Sequence, residues 1–180
     1  MKFAYADPPY VGQGHRYIEK EEVDQRALVE RLVWEYPDGW ALSLSSPSLQ
    51  QILSFCPANV RVMAWVKPFA VFRPNVNPAY AWEPVIVRGG RKRDRYEPTV
   101  RDWISANITL KKGLVGAKPE PFCEWILDVL NVQWGDQLDD LYPGTGIMGR
   151  TVQTRLSTPC KHCGGGPGGH NEGCEYISRL

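Results

Sequence analysis

The chain has 180 residues, 43% of them apolar, which suits one compact domain with a real core. Its formal net charge of +1 excludes binding of nucleic acid through overall charge, so any such contact needs local basic clusters. No apolar run approaches the ~20 residues of a membrane span, and the first ten residues lack the basic and apolar regions of a signal peptide. We therefore expect a cytoplasmic protein without a membrane partner.

Strand-like and helix-like patterns alternate along the chain. The strands predicted from short apolar runs are 2–6, 40–44, 60–66, 82–87 and 137–142. The helices predicted from the spacing of apolar residues are 21–36, 46–55, 119–131 and one that begins after residue 146. This alternation predicts an α/β fold with a largely parallel sheet, in which ligands bind beyond the carboxyl ends of the strands.

Two turn segments follow predicted strands and are therefore expected at that end of the sheet. Asp7-Pro8-Pro9-Tyr10 follows the first strand, which the two prolines end. Pro143-Gly144-Thr145-Gly146 follows the last strand, with glycines that let the backbone approach a ligand and a helix start that favours an anionic group. This shared placement predicts one composite site.

Residues 7–10 carry groups that can bind the exocyclic amine of adenine. The lone pair of that amine is delocalised into the ring, and the nitrogen gains positive charge as it attacks a methyl donor. The carboxylate of Asp7 and the carbonyl of Pro8, held rigidly beside Pro9, can accept hydrogen bonds from its two N–H groups. Tyr10 can stack on the base once the base has left the helix. The alternative is a plain turn after a strand.

Five segments resemble, in this order, one family of methyltransferases. They are ADPPY (6–10), AWVKP (64–68), AWEPVIV (81–87), KPEPFCEWILDVL (118–130) and DLYPGTG (140–146). The sequence is similar to the N6-adenine methyltransferases of permuted chain order, in which the Asp-Pro-Pro-aromatic motif comes first and the cofactor glycine loop last. These include the eukaryotic messenger-RNA adenosine methyltransferase and many small phage DNA methyltransferases, and the phage branch is the more similar. The resemblance implies a Rossmann-like, S-adenosylmethionine (SAM)-dependent methyltransferase sheet with helices on both faces, over residues 1–156.

The resemblance also implies where SAM binds. The glycine loop wraps the methionine part of SAM, and Lys118 borders the same part, where its ammonium can pair with the carboxylate of SAM. The implied cofactor-binding residues are Asp7, Lys118, Pro119, Asp140, Tyr142, Pro143, Gly144, Thr145 and Gly146. The glycine spacing of residues 144–149 also fits a dinucleotide fingerprint, but the acid expected ~20 residues later falls in the Cys/His-rich end of the chain. The residue that binds the ribose of SAM is therefore unassigned.

A basic segment, residues 88–112, contains eight Lys or Arg against three acids. We expect a mobile excursion whose cations contact nucleic-acid phosphates. The alternative is a solvated loop, as charge runs usually are. Lys67, in a Trp-Val-Lys segment like that of the family, is expected to reach either the methionine of SAM or the substrate. The predicted substrate-binding residues are Tyr10, Lys67, Arg88, Arg91, Lys92, Arg93 and Arg95.

The composition changes to Cys, Gly and His near the end of the sequence. Cys160, Cys163, His170 and Cys174 have the spacing C-x2-C-x6-H-x3-C, and three thiolates with one imidazole suit a tetrahedral structural zinc. The pattern resembles a zinc knuckle with longer spacing, so we expect residues 157–180 to form a small Cys/His metal-binding tail. The alternative is a flexible tail with incidental thiols.

These patterns together predict transfer of a methyl group from SAM to the N6 amine of adenine in DNA. Three alternatives stay open: RNA as the substrate, N4 of cytosine as the target, and a non-catalytic, zinc-bearing nucleic-acid-binding subunit. Cytosine enzymes usually have Ser at the place of Asp7, so Asp7 argues against the second. The missing ribose acid favours the third, whereas Asp7 and Tyr10 argue against it. The sequence leaves open whether the protein is a monomer or a homodimer.

Overall fold

The computed structural model describes residues 1–12, 22–69, 74–109 and 117–157. Six strands of the described chain form one sheet in the order β5-β3-β4-β2-β1-β6. The strands are β1 Lys2–Ala6, β2 Gly39–Ser43, β3 Arg61–Val66, β4 Trp82–Gly89, β5 Trp103–Ser105 and β6 Gln137–Asp140. The helices of the described chain are α1 Gln25–Glu35, α2 Leu49–Leu53 after a 3₁₀ turn at Ser46–Ser48, α3 Glu120–Leu130 and α4 Ile147–Ser157.

Five of these six strands run in one direction, and β4 runs against them. β1 pairs in parallel with β2 and β6, and β3 pairs in parallel with β5, whereas β4 is antiparallel to both β2 and β3. The prediction of a largely parallel sheet is confirmed, but the reversed strand was not predicted. The Lys67 amide, just after β3, donates to the Ala81 carbonyl, just before β4 (2.8 Å), so β4 begins at the end of the sheet where β3 finishes. We call the end where the five co-directional strands finish the carboxyl end of the sheet, and the other the amino end.

Helices cover both faces of the sheet, as predicted. Because successive side chains of a strand point to opposite faces, Phe3 and Tyr5 pack in one cluster with α3 and α4. Ala4 and Ala6 pack in a second cluster with α1 and α2. At the centre of the first cluster, the fully buried ring of Phe122 lies 6.0 Å from that of Tyr5. Burying a side chain of this kind stabilises the fold by roughly 1.5–3 kcal/mol.

Local capping sets the ends of two helices. The first helix was predicted over 21–36, but α1 begins at Gln25 because the Asp24 side chain accepts a hydrogen bond from the Ala27 amide (3.0 Å). α3 ends where Asn131 adopts a left-handed conformation, with φ of 52°. None of the helices in the described ranges combines the length and apolar character needed to cross a membrane.

The predicted basic excursion is corrected over its described part, residues 88–109. Its first two residues are the end of β4, and Trp103–Ser105 form β5, which pairs with Ala64–Val66 of β3. The Trp125 indole nitrogen donates to the Arg101 carbonyl (2.9 Å), which fixes the approach to β5 against α3. The predicted strand 82–87 thus extends by two residues, and β5 was missed because a strand of three residues carries little periodic signal.

Candidate active site

The two turn segments that the sequence singles out leave adjacent strands at the carboxyl end of the sheet. β1 and β6 are parallel neighbours with Tyr5 opposite Asp140, and the Leu141 amide donates to the Tyr5 carbonyl (2.9 Å). The chain continues from β1 into residues 7–10 and from β6 into residues 142–146. β2 and β6 flank β1 on opposite sides, so this is a point where the connections diverge, which is where open α/β sheets bind ligands. The predicted juxtaposition of the two segments is confirmed.

Asp7 accepts a hydrogen bond from a buried lysine. Lys118, just before α3, places its Nζ 2.8 Å from Oδ1 of Asp7, and the lysine side chain is only 5% exposed. Burial raises the pKa of Asp7, and the nearby Lys118 ammonium opposes that rise. Burial alone would lower the pKa of Lys118, but Asp7, Tyr5 and Glu83 outweigh it and raise that pKa, so the lysine stays charged.

A second acid, Glu83 of β4, completes the cluster. Its Oε2 accepts from the Tyr10 hydroxyl (2.7 Å) and its Oε1 from Lys67 Nζ (2.8 Å), while Lys118 Nζ lies 3.5 Å from Oε2. Burial would raise the pKa of Glu83, but the two lysines outweigh it and lower that pKa. We name the four charged residues Asp7, Lys67, Glu83 and Lys118 the active-site ion cluster; with two acids and two bases it is neutral overall.

Glu83 is a site residue that the sequence analysis did not single out. It lies in the AWEPVIV segment, and the one available signal was an acid within an otherwise apolar strand. Such a residue points to a buried partner, because an unpaired charge in a core is costly. The identity of the partners depends on tertiary structure, since Tyr10 lies 73 residues away in the sequence.

Aromatic rings surround the Lys118 ammonium. It lies 5.5 Å from the ring centroid of Tyr10, 5.6 Å from Trp65 and 6.0 Å from Phe122. Its nitrogen also donates to the Tyr10 hydroxyl (3.2 Å). The ammonium therefore holds Asp7 and Tyr10 in a fixed relation. Its predicted pairing with the carboxylate of SAM stays a prediction, because here the ammonium binds the two acids of the cluster.

The glycine loop has the backbone shape that its sequence predicts. Gly144 and Gly146 have φ of 44° and 69°, in the region that favours glycine, and the Gly146 amide donates to the Pro143 carbonyl (2.6 Å). Among the described residues, a Cβ at Gly144 would meet only the Tyr142 carbonyl, at 3.8 Å, so the described surface of the loop there leaves room for a ligand. α4 begins directly after the loop, at Ile147.

Asp140, at the end of β6, has a buried carboxylate oxygen. Its Oδ1 finds no hydrogen-bond partner within the described chain. Burial raises the pKa of Asp140 to about 6; a hydrogen bond from the Tyr142 backbone opposes the rise, and the charge of Asp7 adds to it. An orphaned oxygen of this kind is costly in a folded protein and is typical of a site completed by a ligand.

The fold was compared with solved structures. The M1.HpyAVI–SAM complex matches with a TM-score of 0.58 and 15% sequence identity, over 85% of this chain and 77% of that chain. A structure of M1.HpyAVI matches with a TM-score of 0.54 and 16% identity, over 84% of this chain and 75% of that one. This chain has the fold of M1.HpyAVI. A scan against protein-family models and a search of curated proteins found no match.

The residues at the carboxyl end of the sheet fit SAM, the molecule bound in the M1.HpyAVI complex. SAM offers an ammonium, a sulfonium, ribose hydroxyls and an adenine amine, which are cations or hydrogen-bond donors. The orphaned Oδ1 of Asp140 can accept such a donor, and the open surface at Gly144 allows close approach. A ribose-binding acid on a further strand is not among the described residues, in which β6 is an edge strand.

The structure does not bring the predicted phosphate-binding arginines to this site. Because β4 is reversed, Arg88 and the residues just after it lie at the amino end of the sheet, where Gly89 pairs with Gly39. The Arg91 guanidinium binds both carboxylate oxygens of Asp136 (2.6 and 2.8 Å). Neighbouring side chains at that end also have protein partners: Arg88 donates to Asn59 Oδ1 (3.1 Å), Arg93 donates to the Asp128 carbonyl, and Arg95 lies over the ring of Tyr96.

The sequence-predicted residues therefore divide by position. Tyr10 and Lys67 lie at the active-site ion cluster, whereas Arg88, Arg91, Lys92, Arg93 and Arg95 belong to the segment at the other end of the sheet. Pro119 is the N-cap of α3, next to Lys118. The predicted zinc ligands Cys160, Cys163, His170 and Cys174 lie outside the described residues, so zinc stays a prediction.

Proposed function

We propose that this protein transfers a methyl group from SAM to the N6 amine of adenine in DNA. The supporting observation is the adjacency of β1 and β6, which sets the Asp7 carboxylate beside the glycine loop at one end of the sheet. The fold shared with the M1.HpyAVI–SAM complex supports the choice of methyl donor. The hydrogen-bond acceptors of Asp7 and Pro8 support the choice of adenine.

The acceptor groups match the two N–H bonds of an exocyclic amine. Lys118 holds Oδ1 of Asp7, which leaves Oδ2 to accept one N–H, and the Pro8 carbonyl accepts the other. These bonds localise the nitrogen lone pair and stabilise the positive charge that grows on it. The Tyr10 ring, fixed through its hydroxyl to Glu83 and Lys118, stacks on the base.

The transfer balances without a strong base. SAM supplies an electrophilic methyl group: the N6 lone pair forms the new N–C bond while the C–S bond breaks, and the electron pair stays on sulfur. The methylated nitrogen is then acidic, so its proton is lost readily to water or to the Asp7 carboxylate. Burial raises the pKa of Asp7, and the Lys118 ammonium opposes this rise and so favours the ionised carboxylate that the role of acceptor requires.

The proposal also covers the type of methyltransferase and the role of the terminal Cys/His segment. We propose that the chain is of the permuted, phage-like type, supported by the order of its motifs, and that its terminal Cys/His segment binds zinc. RNA adenine is the alternative substrate. The non-catalytic alternative is favoured by β6 being the edge strand of the described sheet, because this leaves the ribose of SAM without an assigned acid.

The first test replaces the acid at the end of β1. We expect Asp7→Asn to lower kcat for DNA methylation about 100-fold or more, because it removes the charge that stabilises the transition state. Transfer of tritium from labelled SAM to adenine-containing DNA measures this, with RNA and adenine-free DNA in parallel. The exposed Glu30 on α1 offers a matched control, and Glu30→Gln is expected to leave kcat unchanged.

Each outcome of this test separates the alternatives. Unchanged transfer by the Asp7 variant contradicts the mechanism. Transfer to RNA alone replaces the substrate, and absence of SAM binding in calorimetry favours the non-catalytic subunit.

A further inference from the structure

Lys67 directs its charge at an acid of the protein. It lies just after β3, and its Nζ is 2.8 Å from Oε1 of Glu83. Its side chain is only 12% exposed, and the ammonium also lies 5.6 Å from the centroid of the Trp65 ring. The sequence predicts contact of this lysine with the methionine of SAM or with the substrate, whereas its described contacts hold the charge within the protein.

The register of β3 and β4 sets the direction of the Glu83 side chain. Glu83 pairs with Trp65, so the two side chains share one face of the sheet. Trp65 belongs to the first hydrophobic cluster, where its ring lies 5.2 Å from that of Phe122 on α3. The Glu83 carboxylate therefore lies on the face that α3 covers, where it meets Tyr10 and Lys118.

Glu83 connects Lys67 to the ring of Tyr10. One carboxylate oxygen accepts from Lys67, and the other accepts from the Tyr10 hydroxyl (2.7 Å). Lys118 lies nearer to Asp7 (2.8 Å) than to Glu83 (3.5 Å). Lys67 is therefore the closer of the two lysines that face Glu83. The Glu83 side chain is 19% exposed, and an acid this buried needs a cation to remain an ionised acceptor.

The contacts of Tyr10 with these charged groups lie at the hydroxyl end of its ring. Lys118 Nζ is 3.2 Å from the hydroxyl oxygen but 5.5 Å from the ring centroid, so it lies beyond the edge of the ring and not over its centre. Glu83 binds the same hydroxyl. The ring is thus held at its edge before a base arrives. Such preorganisation reduces the conformational freedom that is lost when the base stacks on the ring.

We propose that Lys67 is a positioning residue: it holds Glu83, and Glu83 fixes the Tyr10 ring where the target base stacks. This inference rests on the proposed function. It assigns to Lys67 an indirect part in that function, in place of a contact with SAM or with DNA.

Methyl transfer by single and double variants tests the proposal. Tyr10→Phe keeps the ring but removes the hydroxyl, and Lys67→Met removes the cation. Each is expected to lower kcat/KM for DNA about five-fold, which is the cost of one loosened side chain. The double variant should also lose about five-fold, and not about 25-fold, because both changes release the same ring.

SAM binding and the salt dependence of DNA binding separate the three roles of Lys67. Lys67→Met should leave both unchanged in calorimetry and in fluorescence anisotropy. Weaker SAM binding assigns the lysine to the cofactor, and a smaller salt dependence assigns it to a phosphate. Either result overturns the proposal, as do additive losses in the double variant or an unchanged kcat/KM for Lys67→Met.

Glu83→Gln is the second variant, in case Lys67→Met does not fold. The amide has no charge for Lys67 to hold and has one acceptor oxygen instead of two. We expect the same loss of kcat/KM, with no further loss when Tyr10→Phe is added. Thermal unfolding checks that each variant is folded, and a further loss in the double variant contradicts the link through Glu83.

A similar arrangement on the other face of the sheet supplies matched controls. The Tyr36 hydroxyl donates to Oδ2 of Asp139 (2.8 Å), and Lys2 Nζ lies 3.7 Å from the same oxygen. Tyr36 packs in the second hydrophobic cluster, on the face opposite to Glu83. Tyr36→Phe and Lys2→Met should therefore leave kcat/KM unchanged, and losses equal to those of the Tyr10 and Lys67 variants overturn the proposal.

The two proposals fail in distinguishable ways. Absence of methyl transfer by the wild-type protein removes the proposed function and the positioning role with it. Wild-type transfer with additive losses in the double variant removes only the role given to Lys67.

Discussion

The carboxylate of Asp7 occupies a place where burial alone favours the neutral acid. The adjacent Lys118 ammonium opposes this effect, and its own charge is maintained by three oxygen groups around it. Asp140, on the neighbouring strand, has no such cation among the described residues, and burial raises the pKa of this acid to about 6. The pKa of each acid is raised by burial, but Asp7 has a lysine partner that opposes the rise, whereas Asp140 keeps a buried oxygen without a partner in the described chain.

The raised pKa of Asp140 predicts a dependence of stability on pH. The unfolded acid has a pKa near 3.8 and the folded acid one of about 6, so the folded chain holds the proton more tightly. The favourable contribution of Asp140 to the free energy of unfolding is therefore complete below about pH 4 and is lost as the pH rises to about 6. Above about pH 6 this contribution no longer changes with pH. We expect Asp140→Asn to raise Tm above pH 6 and to leave it nearly unchanged near pH 4.

The same variant should weaken SAM binding, because the amide has lost the charge that suits a cationic ligand. Thermal unfolding over a pH series and calorimetry with SAM measure the two effects. A lower Tm at pH 7, or unaltered SAM affinity, contradicts the role assigned to Asp140.

At the scale of elements, the active-site ion cluster joins parts of the fold that are distant in sequence. It links the segment after β1, the end of β3, the start of β4 and the start of α3. Lys118 and Asp7 are 111 residues apart, so their pair closes a long loop at the carboxyl end of the sheet. The cluster therefore serves the stability of the fold as well as its chemistry.

Removing the central cation tests this structural role. Lys118→Met leaves Asp7 without its partner and is expected to lower the free energy of unfolding by about 3–5 kcal/mol. Arg61→Met, which breaks an exposed pair with Asp102, should have a much smaller effect. Urea unfolding of both variants measures the two losses of free energy of unfolding. Similar losses would falsify the view that burial makes the ion cluster more stabilising than an exposed ion pair.

A second ionic contact belongs to the amino end of the sheet. Arg91 and the N-terminal ammonium both bind the buried Asp136, whose pKa is lowered: burial opposes this shift, and hydrogen bonds from the N-terminus, Arg91 and the Gln133 backbone outweigh it. Arg91 thus attaches the segment after β4 to the turn before β6. The basic segment is at least partly structural.

Arg91→Ala should accordingly reduce stability rather than affinity for DNA. We expect a loss of about 1–2 kcal/mol, since a charged hydrogen bond to a buried acid is removed from a partly exposed arginine. Arg95→Ala removes a charge from the same segment and is the control, with little change expected in urea unfolding. A weaker DNA complex for Arg91→Ala at unchanged stability restores the phosphate-binding role that the charge count predicts.

At the scale of the whole molecule, the described sheet ends at β6. SAM is therefore expected to lie at the border of the sheet, against the glycine loop and Asp140. The Cys/His segment follows α4, which itself follows that loop, so a zinc-bound fold there would supply stability to a segment without its own apolar core.

Metal analysis tests the zinc prediction. The purified protein should contain about one zinc per chain, measured by plasma mass spectrometry, and Cys163→Ser should lose most of it. Cys56→Ser is the matched control, because Cys56 is a half-buried thiol in the turn after α2 and should not affect the metal. Zinc-free protein, or loss of zinc from the control alone, contradicts the assignment.

Much of the fold and part of the site were predictable, because their signals are local. The apolar run before Asp-Pro-Pro-Tyr is β1, and the glycines after β6 adopt the predicted turn. Strand and helix periods are properties of neighbouring residues, as is the end of a strand at two prolines. The short strand β5 was missed because three residues with exposed polar neighbours carry little periodic signal.

The sequence by itself thus determined the helices, the strands other than β5, and which turns carry acids and glycines. Only the tertiary structure decided the direction of β4, and with it the end of the sheet to which Arg88 and Arg91 belong. It alone paired Glu83 with Tyr10 and Lys118 with Asp7. Strand order and buried ion pairs depend on which distant segments meet in the core, and nothing in the neighbourhood of one residue encodes that choice.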